Sequence, residues 1–254
     1  MTDTATTVHR PAGAAGRILN VVRLHLTNPW TTIILPWIIL IAILLANIAI
    51  WWLILSNTPE ADIADVREGL GYSGASTYIF VYIMVVAVQA IAVTFPFALG
   101  YGVTRRDYYL GTALTFVGLS AMFSVGLTIL SVIEDATNGW GLGGRMFTTF
   151  YYGDGWTQRL FIYFTAFLFF FFVGMAAASI WVRWKANGLV AFFLGLGVIV
   201  IGGAALLTLT SNWGAFGAFF ANAGFVGSFA WSLVISATAA VGGFFVLRRA
   251  TPKN

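Results

Sequence analysis

Residues 33–55 read IILPWIILIAILLANIAIWWLIL, an apolar run with one amide, Asn47, and no charge. A hydrocarbon layer roughly 30 Å thick takes about 20 residues of helix, and this run fills it. Working outward, five further blocks of the same kind lie at 76–99, 110–132, 160–182, 189–210 and 227–247, none containing Asp, Glu, Lys, Arg or His. The blocks are too long and too continuous for barrel strands, and an open sheet edge cannot satisfy its backbone in lipid. The expectation is an all-α integral membrane protein with six transmembrane helices.

Composition agrees. Of 254 residues, 59% are hydrophobic and 9% charged, against roughly a quarter charged in soluble domains. There is no cysteine, and the histidines are His9 and His25. That excludes zinc fingers, iron–sulfur ligation, disulfide frameworks and thiol nucleophiles. A net charge of +4 would suggest nucleic acid in a soluble protein. Here the cations fall in short segments between apolar blocks, so no nucleic-acid partner is expected.

Their distribution orients the chain. With the N-terminus inside, the cytoplasmic segments hold Arg10, Arg17, Arg23, Arg105, Arg106, Arg183, Lys185, Arg248, Arg249 and Lys253. The outer segments then hold Arg67, Arg145 and Arg159, with Glu60, Asp62, Asp65, Glu68, Glu134, Asp135 and Asp154. The positive-inside rule therefore predicts both termini in the cytoplasm of a plasma-membrane protein. The first 30 residues lack the apolar core and cleavage site of a signal peptide, so the first block is expected to remain as an anchor.

Outside the blocks, residues 1–16 read as a mobile tail and 249–254 as a short cytoplasmic one, flanking a connecting helix at 17–30 and a single membrane domain at 31–248. In 17–30, Ile18, Val22 and Leu26 share one helical face and Arg17, Asn20, Arg23 and Thr27 the other, which predicts an amphipathic interfacial helix. Pro29 is expected to end it, with Trp30 and Trp37 anchoring the headgroup level. The segment 134–159 carries Trp140, Phe147, Phe150, Tyr151, Tyr152 and Trp156, expected at the interface. The uncharged stretch 211–226, SNWGAFGAFFANAGFV, is too short to span and too apolar to be solvated, so a re-entrant or interface-lying element is expected.

Small-residue seams mark helix contacts. They run through Ser120, Ser124, Thr128 and Ser131 in the third block, through Gly188, Ala191, Gly195, Val198, Gly202 and Ala205 in the fifth, and through Ser228, Ser232, Ser236, Ala239 and Gly243 in the sixth. Asn47 and Gln89 are the strongest polar residues within the blocks. Gln89 shares a helical face with Tyr78, Tyr82, Val85, Ala92 and Pro96, so Asn47, Tyr78, Tyr82 and Gln89 are candidates for a substrate path, with a helix–helix hydrogen bond as the plainer role.

No block offers a His, Asp, Glu, Lys or Cys to act as base or nucleophile, so no catalytic residue is expected, and intramembrane carboxylates for proton coupling are missing as well. The chain has no G-x-x-x-x-G-K-[ST] loop to bind ATP by that device. Between the second and third blocks runs FPFALGYGVTRRDYYLG, residues 95–111. This short G-V-T-R-R-D-Y-Y-L-G crossing, the six-block layout, the amphipathic helix before the first block and the apolar element before the last resemble the permease subunits of type-2 ATP-binding-cassette (ABC) transporters. The resemblance implies that Gly102, Thr104, Arg105, Arg106 and Asp107 dock on a separate ATPase subunit, with 183–187 as a second contact. It also implies that ATP and Mg are held by that partner, that the permease pairs with a second copy or a related permease, and that it exports an amphipathic or apolar compound. The competing expectations are a partner-independent secondary carrier and a non-transporting scaffold or immunity protein.

Overall fold

The computed structural model of the chain describes residues 13–250. Every regular element among them is helical. Most of both expected tails, with His9, Arg10 and Lys253, lies outside the described residues. Residues 14–16 already belong to the first helix, and Ala250 is buried.

Five stretches are long and apolar enough to cross a membrane: Trp30–Ser56, Ala75–Gly100, Arg105–Ala136, Trp156–Leu209 and Trp213–Arg248. The chain is therefore an all-helical protein of multi-pass membrane character. The blocks 160–182 and 189–210 share the helix Trp156–Leu209, of 54 residues, which is interrupted at Lys185 (φ 55°, ψ −148°). Unbroken, it would extend about 80 Å, more than twice a bilayer core. The helix Trp213–Arg248 is interrupted in turn at Gly224 (φ 64°, ψ −173°), so the stretch 211–226 is mostly a short helix set off by a turn at each end.

Proline shapes the first two long stretches. Pro36, near the start of α2 (Leu35–Ser56), and Pro96, near the start of α5 (Phe95–Gly100), each follow a π turn, Trp30–Ile34 and Ala90–Thr94. Proline has no N–H for the carbonyl four residues back and its ring crowds that carbonyl, and a widened turn relieves both. In the first turn, Leu35 N–H donates to Trp30 O, leaving Thr31 O opposite the N–H that Pro36 lacks. Tyr82 Oη supplies the missing donor at 2.8 Å, and Tyr78 Oη donates to Pro36 O at 2.7 Å. Both phenols belong to α4 (Tyr78–Gln89) and tie it to the start of the first long stretch. α1 stops at Leu26, three residues before Pro29, and Pro29 also opens the next helix, where the missing N–H is harmless in a first turn.

The axis of the core is α6 (Arg105–Ala136), whose Phe116 stacks on Phe171 at 4.5 Å and whose Phe123 lies 5.5 Å from Phe167. The Ser120, Ser124, Thr128 and Ser131 seam is buried, and each hydroxyl donates to a carbonyl of its own helix. That satisfies the hydroxyls and leaves a smooth surface on which α7 (Trp156–Leu209) packs. The Trp37 ring sits in the notch at Gly126, where a Cβ would lie 2.3 Å from it. The sixth-block seam also faces inward. Gly243 of α8 (Trp213–Arg248) lies against Ala176 and Tyr109, and Tyr109 Oη donates to Ala240 O at 2.5 Å. The fifth-block seam behaves differently, with Gly195 and Gly202 facing open space within the single chain.

The two ends of the bundle sort by charge. At one end, α1 (Ala14–Leu26) is held to α6 by Arg17 Nε, 2.7 Å from Asp107 Oδ2, and Arg105 Nη1 donates to Arg248 O at the close of α8. The other end is acidic and built around Glu134, which is 1% exposed and accepts from Trp140 Nε1, Met146 N, Phe147 N, Thr148 N and Thr148 Oγ1 at 2.7–3.0 Å. One carboxylate thereby folds the long segment 139–148 back over the helix ends. Phe147 and Tyr152, expected at the interface, are buried beneath this cap, while Phe150 and Trp156 remain exposed. Tyr151 Oη donates to Ser73 O, and Arg145 N–H to Leu70 O, joining the cap to the acidic segment 57–75.

Candidate polar cavity and basic crossing

The two π turns meet across a cavity of about 210 Å³ toward the basic end. Its polar lining is His25 and Asn28 from the first helix and its exit, Thr31 and Thr32 from the first π turn, Gln89 and Thr94 around the second, and Thr115 from α6. No acid or lysine faces it. His25 is placed by the docking of α1. Val21 fills the notch at Gly111, where a Cβ would lie 2.5 Å from the Val21 Cβ, and one turn on His25 Nε2 lies 2.8 Å from Thr112 Oγ1. Tyr108 and Phe116 flank the imidazole at 5.6 and 6.4 Å. Burial pushes its pKa down to about 4, so it is neutral near pH 7. The lining thus hydrogen-bonds but carries no charge at that pH.

The face of α1 that docks on α6 is Arg17, Val21, Leu24 and His25, distinct from the Ile18, Val22 and Leu26 face expected to lie at the interface. Leu26 is 40% exposed. The reason is that α6 offers a glycine notch, an acid and a hydroxyl, so an arginine and a histidine belong to the contact. His25 is the residue that sequence reasoning missed. Its spacing of eight from Arg17, with Val21 midway, was the available signal.

Of the four residues proposed for a substrate path, the structure brings only Gln89 to the cavity. Among the described residues its amide carries no hydrogen bond and is exposed. Tyr78 and Tyr82 spend their hydroxyls on the backbone of the first stretch, and Asn47 Nδ2 donates to Ile43 O of its own helix at 2.9 Å.

Within the crossing 95–111 the chain turns at 101–104, between the end of α5 and the start of α6. Gly102, at φ +80°, closes α5 with Gly102 N–H to Leu99 O and Val103 N–H to Ala98 O, the two bonds of a Schellman end. Thr104 then caps α6, its hydroxyl accepting from Asp107 N–H at 3.1 Å. The T-R-R-D sequence therefore has a local role as a helix start. Asp107 is 5% exposed and turned to Arg17, whereas Gly102, Thr104 and Arg106 face out and Arg105 is half-buried over the end of α8. Among the described residues no group of His, Cys, Asp and Glu is arranged to hold a metal ion. Comparison of the chain with protein-family models, with curated proteins and with solved structures returned no match, so the site rests on its own residues.

Proposed function

We propose that the chain is the membrane-spanning permease subunit of an ATP-driven exporter of the type-2 ABC kind, crossing the plasma membrane six times with both termini cytoplasmic. The observation that carries this reading is the convergence of α1, the 101–107 turn and the end of α8 through Arg17–Asp107 and Arg105–Arg248. Among the described residues α1 and the end of α8 thereby meet the basic crossing at one end, as an even number of crossings requires. The break at Lys185 supports reading α7 as two crossings joined by a basic turn that includes Arg183. The break at Gly224 supports a re-entrant helix before the last crossing.

Arg106, Thr104 and Gly102 form the outward surface on which an ATPase docks, while Arg105 and Asp107 brace it from within. ATP and Mg belong to that partner, and this chain supplies no catalytic group. The polar cavity, at about 210 Å³, falls below the roughly 300–1,000 Å³ of drug-sized sites. A second permease, seated on the open Gly195 and Gly202 seam, completes the path. Its uncharged lining suits an amphipathic or apolar cargo.

The test is to tag the C-terminus, extract native membranes in mild detergent and identify co-purifying chains. An ATPase with a Walker motif is expected, with vanadate-sensitive activity that Arg105→Ala/Arg106→Ala abolishes. A chain that purifies alone and transports in sealed vesicles without ATP would make it a partner-independent carrier, and one that purifies alone without flux a scaffold.

A further inference from the structure

Two arginines at the acidic end are built into place and left without partners. Arg67, on α3 (Ile63–Gly69), and Arg145, in the cap, are exposed, and among the described residues neither guanidinium makes a hydrogen bond or an ion pair. The third arginine of that end shows the contrast. Arg159 is buried, paired with Asp135 and donating to Gly153 O.

Free surface arginines usually sample many rotamers. The stems of these two lie beside opposite segments, each next to the other's glycine. A Cβ at Gly143 would lie 3.5 Å from Cγ and Cδ of Arg67, and one at Gly71 would lie 3.9 Å from Cδ of Arg145. The Arg145 N–H to Leu70 O bond, 3.1 Å, fixes the two segments side by side. Between them lies a cleft of about 400 Å³ lined by Arg67, Glu68, Tyr72, Asn138, Arg145 and Phe150. Two guanidiniums against the single carboxylate of Glu68 leave it net positive, at an end otherwise rich in acids. An aromatic track leads away from it, Tyr72 to Phe150 at 5.7 Å and Phe150 to Phe225 at 5.8 Å, reaching the break at Gly224.

We propose that this cleft binds a phosphate-bearing anion, the phosphate held by Arg67 and Arg145 and any attached apolar portion lying along Tyr72, Phe150 and Phe225. Guanidinium forks match phosphate oxygens in pairs, and placing their stems beside opposite segments lowers the ordering cost of binding. The phosphate belongs either to a lipid headgroup or to a soluble phosphate ester. The site needs no ATPase partner, so it stands or falls separately from the transport reading.

Calorimetric titration of the purified chain in neutral detergent, with inorganic phosphate, dihexanoyl phosphatidate and dihexanoyl phosphatidylcholine, tests the assignment. Phosphatidate should bind one saturable site, more tightly than phosphatidylcholine, whose choline cancels the charge. Arg67→Gln/Arg145→Gln, which keeps both stems, should weaken phosphatidate binding about tenfold. Glu68→Gln should tighten it, and Arg105→Gln/Arg106→Gln should leave it unchanged. Phosphate binding as tightly as phosphatidate would keep the anion site, assign it to a soluble ligand and remove the aromatic track. Equal phosphatidate binding by the wild type and the Arg67/Arg145 variant, at matching melting temperatures, would overturn the proposal.

Discussion

At the scale of single residues, a buried acid and a half-buried histidine control the two ends of the molecule. Glu134 holds five donors that no other described group satisfies. Removing a buried acceptor leaves its donors with their full desolvation cost, about 1–3 kcal/mol each before relaxation. Glu134→Ala should therefore lower stability by about 3 kcal/mol or more and free the 139–148 segment, seen as a lower melting temperature and as new protease cleavage confined to that segment. An unchanged melting temperature would mean that the cap folds without it. His25 acts through pH. Its folded pKa is near 4 against an ordinary 6.5, so between those values the unfolded chain takes up a proton that the folded chain refuses. Stability contributed here is complete above pH 6.5, falls as pH drops toward 4, and changes no further below that, by up to about 3 kcal/mol in all. Melting curves from pH 7 to 4.5 should show a shallower acid limb for His25→Gln than for wild type, and parallel limbs would refute the assignment. Neither residue announces its role in sequence. Glu134 reads as one acid among seven in the outer segments, because its donors arrive from a loop with no periodicity. His25 reads as an isolated histidine because its partner lies on a helix 87 positions away.

At the scale of elements, legibility depended on what sets each boundary. The long apolar blocks were legible because hydrocarbon admits so few alternatives, and the third and sixth seams were legible because small residues are how such helices meet. The π turns were not, although Pro36 and Pro96 mark both places. A proline signals a disturbed turn without saying whether the helix kinks, breaks or widens. The docking face of α1 was not legible because apolar periodicity marks only an apolar stripe, and α6 presents Gly111 between Asp107 and Thr112 to Val21, Arg17 and His25. This makes a sharp prediction. Gly111→Val would place side-chain atoms inside the space of Val21 Cβ and Ile18 O, 2.5 and 2.8 Å from the new Cβ, so α1 should lift from α6. Spin labels at Asn20 and Leu110 should then report a longer and broader distance distribution, whereas Gly118→Val, which meets nothing within 4 Å, should leave it unaltered. Equal distributions for both variants would show that Arg17 and His25 hold the helix without the notch.

At the scale of the whole molecule, the sorting of charge to opposite ends ties the readings together. The basic end gathers α1, the end of α8, the 101–107 turn and the polar cavity, and the acidic end gathers the Glu134 cap and the arginine cleft. An ATP-driven permease needs the first to face the cytoplasm, and it needs α7 to return to that face at Lys185 before crossing again. The chain has no cysteine, so single cysteines placed at Arg106, Lys185, Arg67 and Ser211 can be labelled in intact cells with a membrane-impermeant maleimide. Labelling at positions 67 and 211 in intact cells, with positions 106 and 185 reacting only after the membrane is opened, is the result the account predicts. Labelling of position 185 from outside, or protection of position 211, would contradict the proposed six crossings and with them the proposed cytoplasmic docking surface.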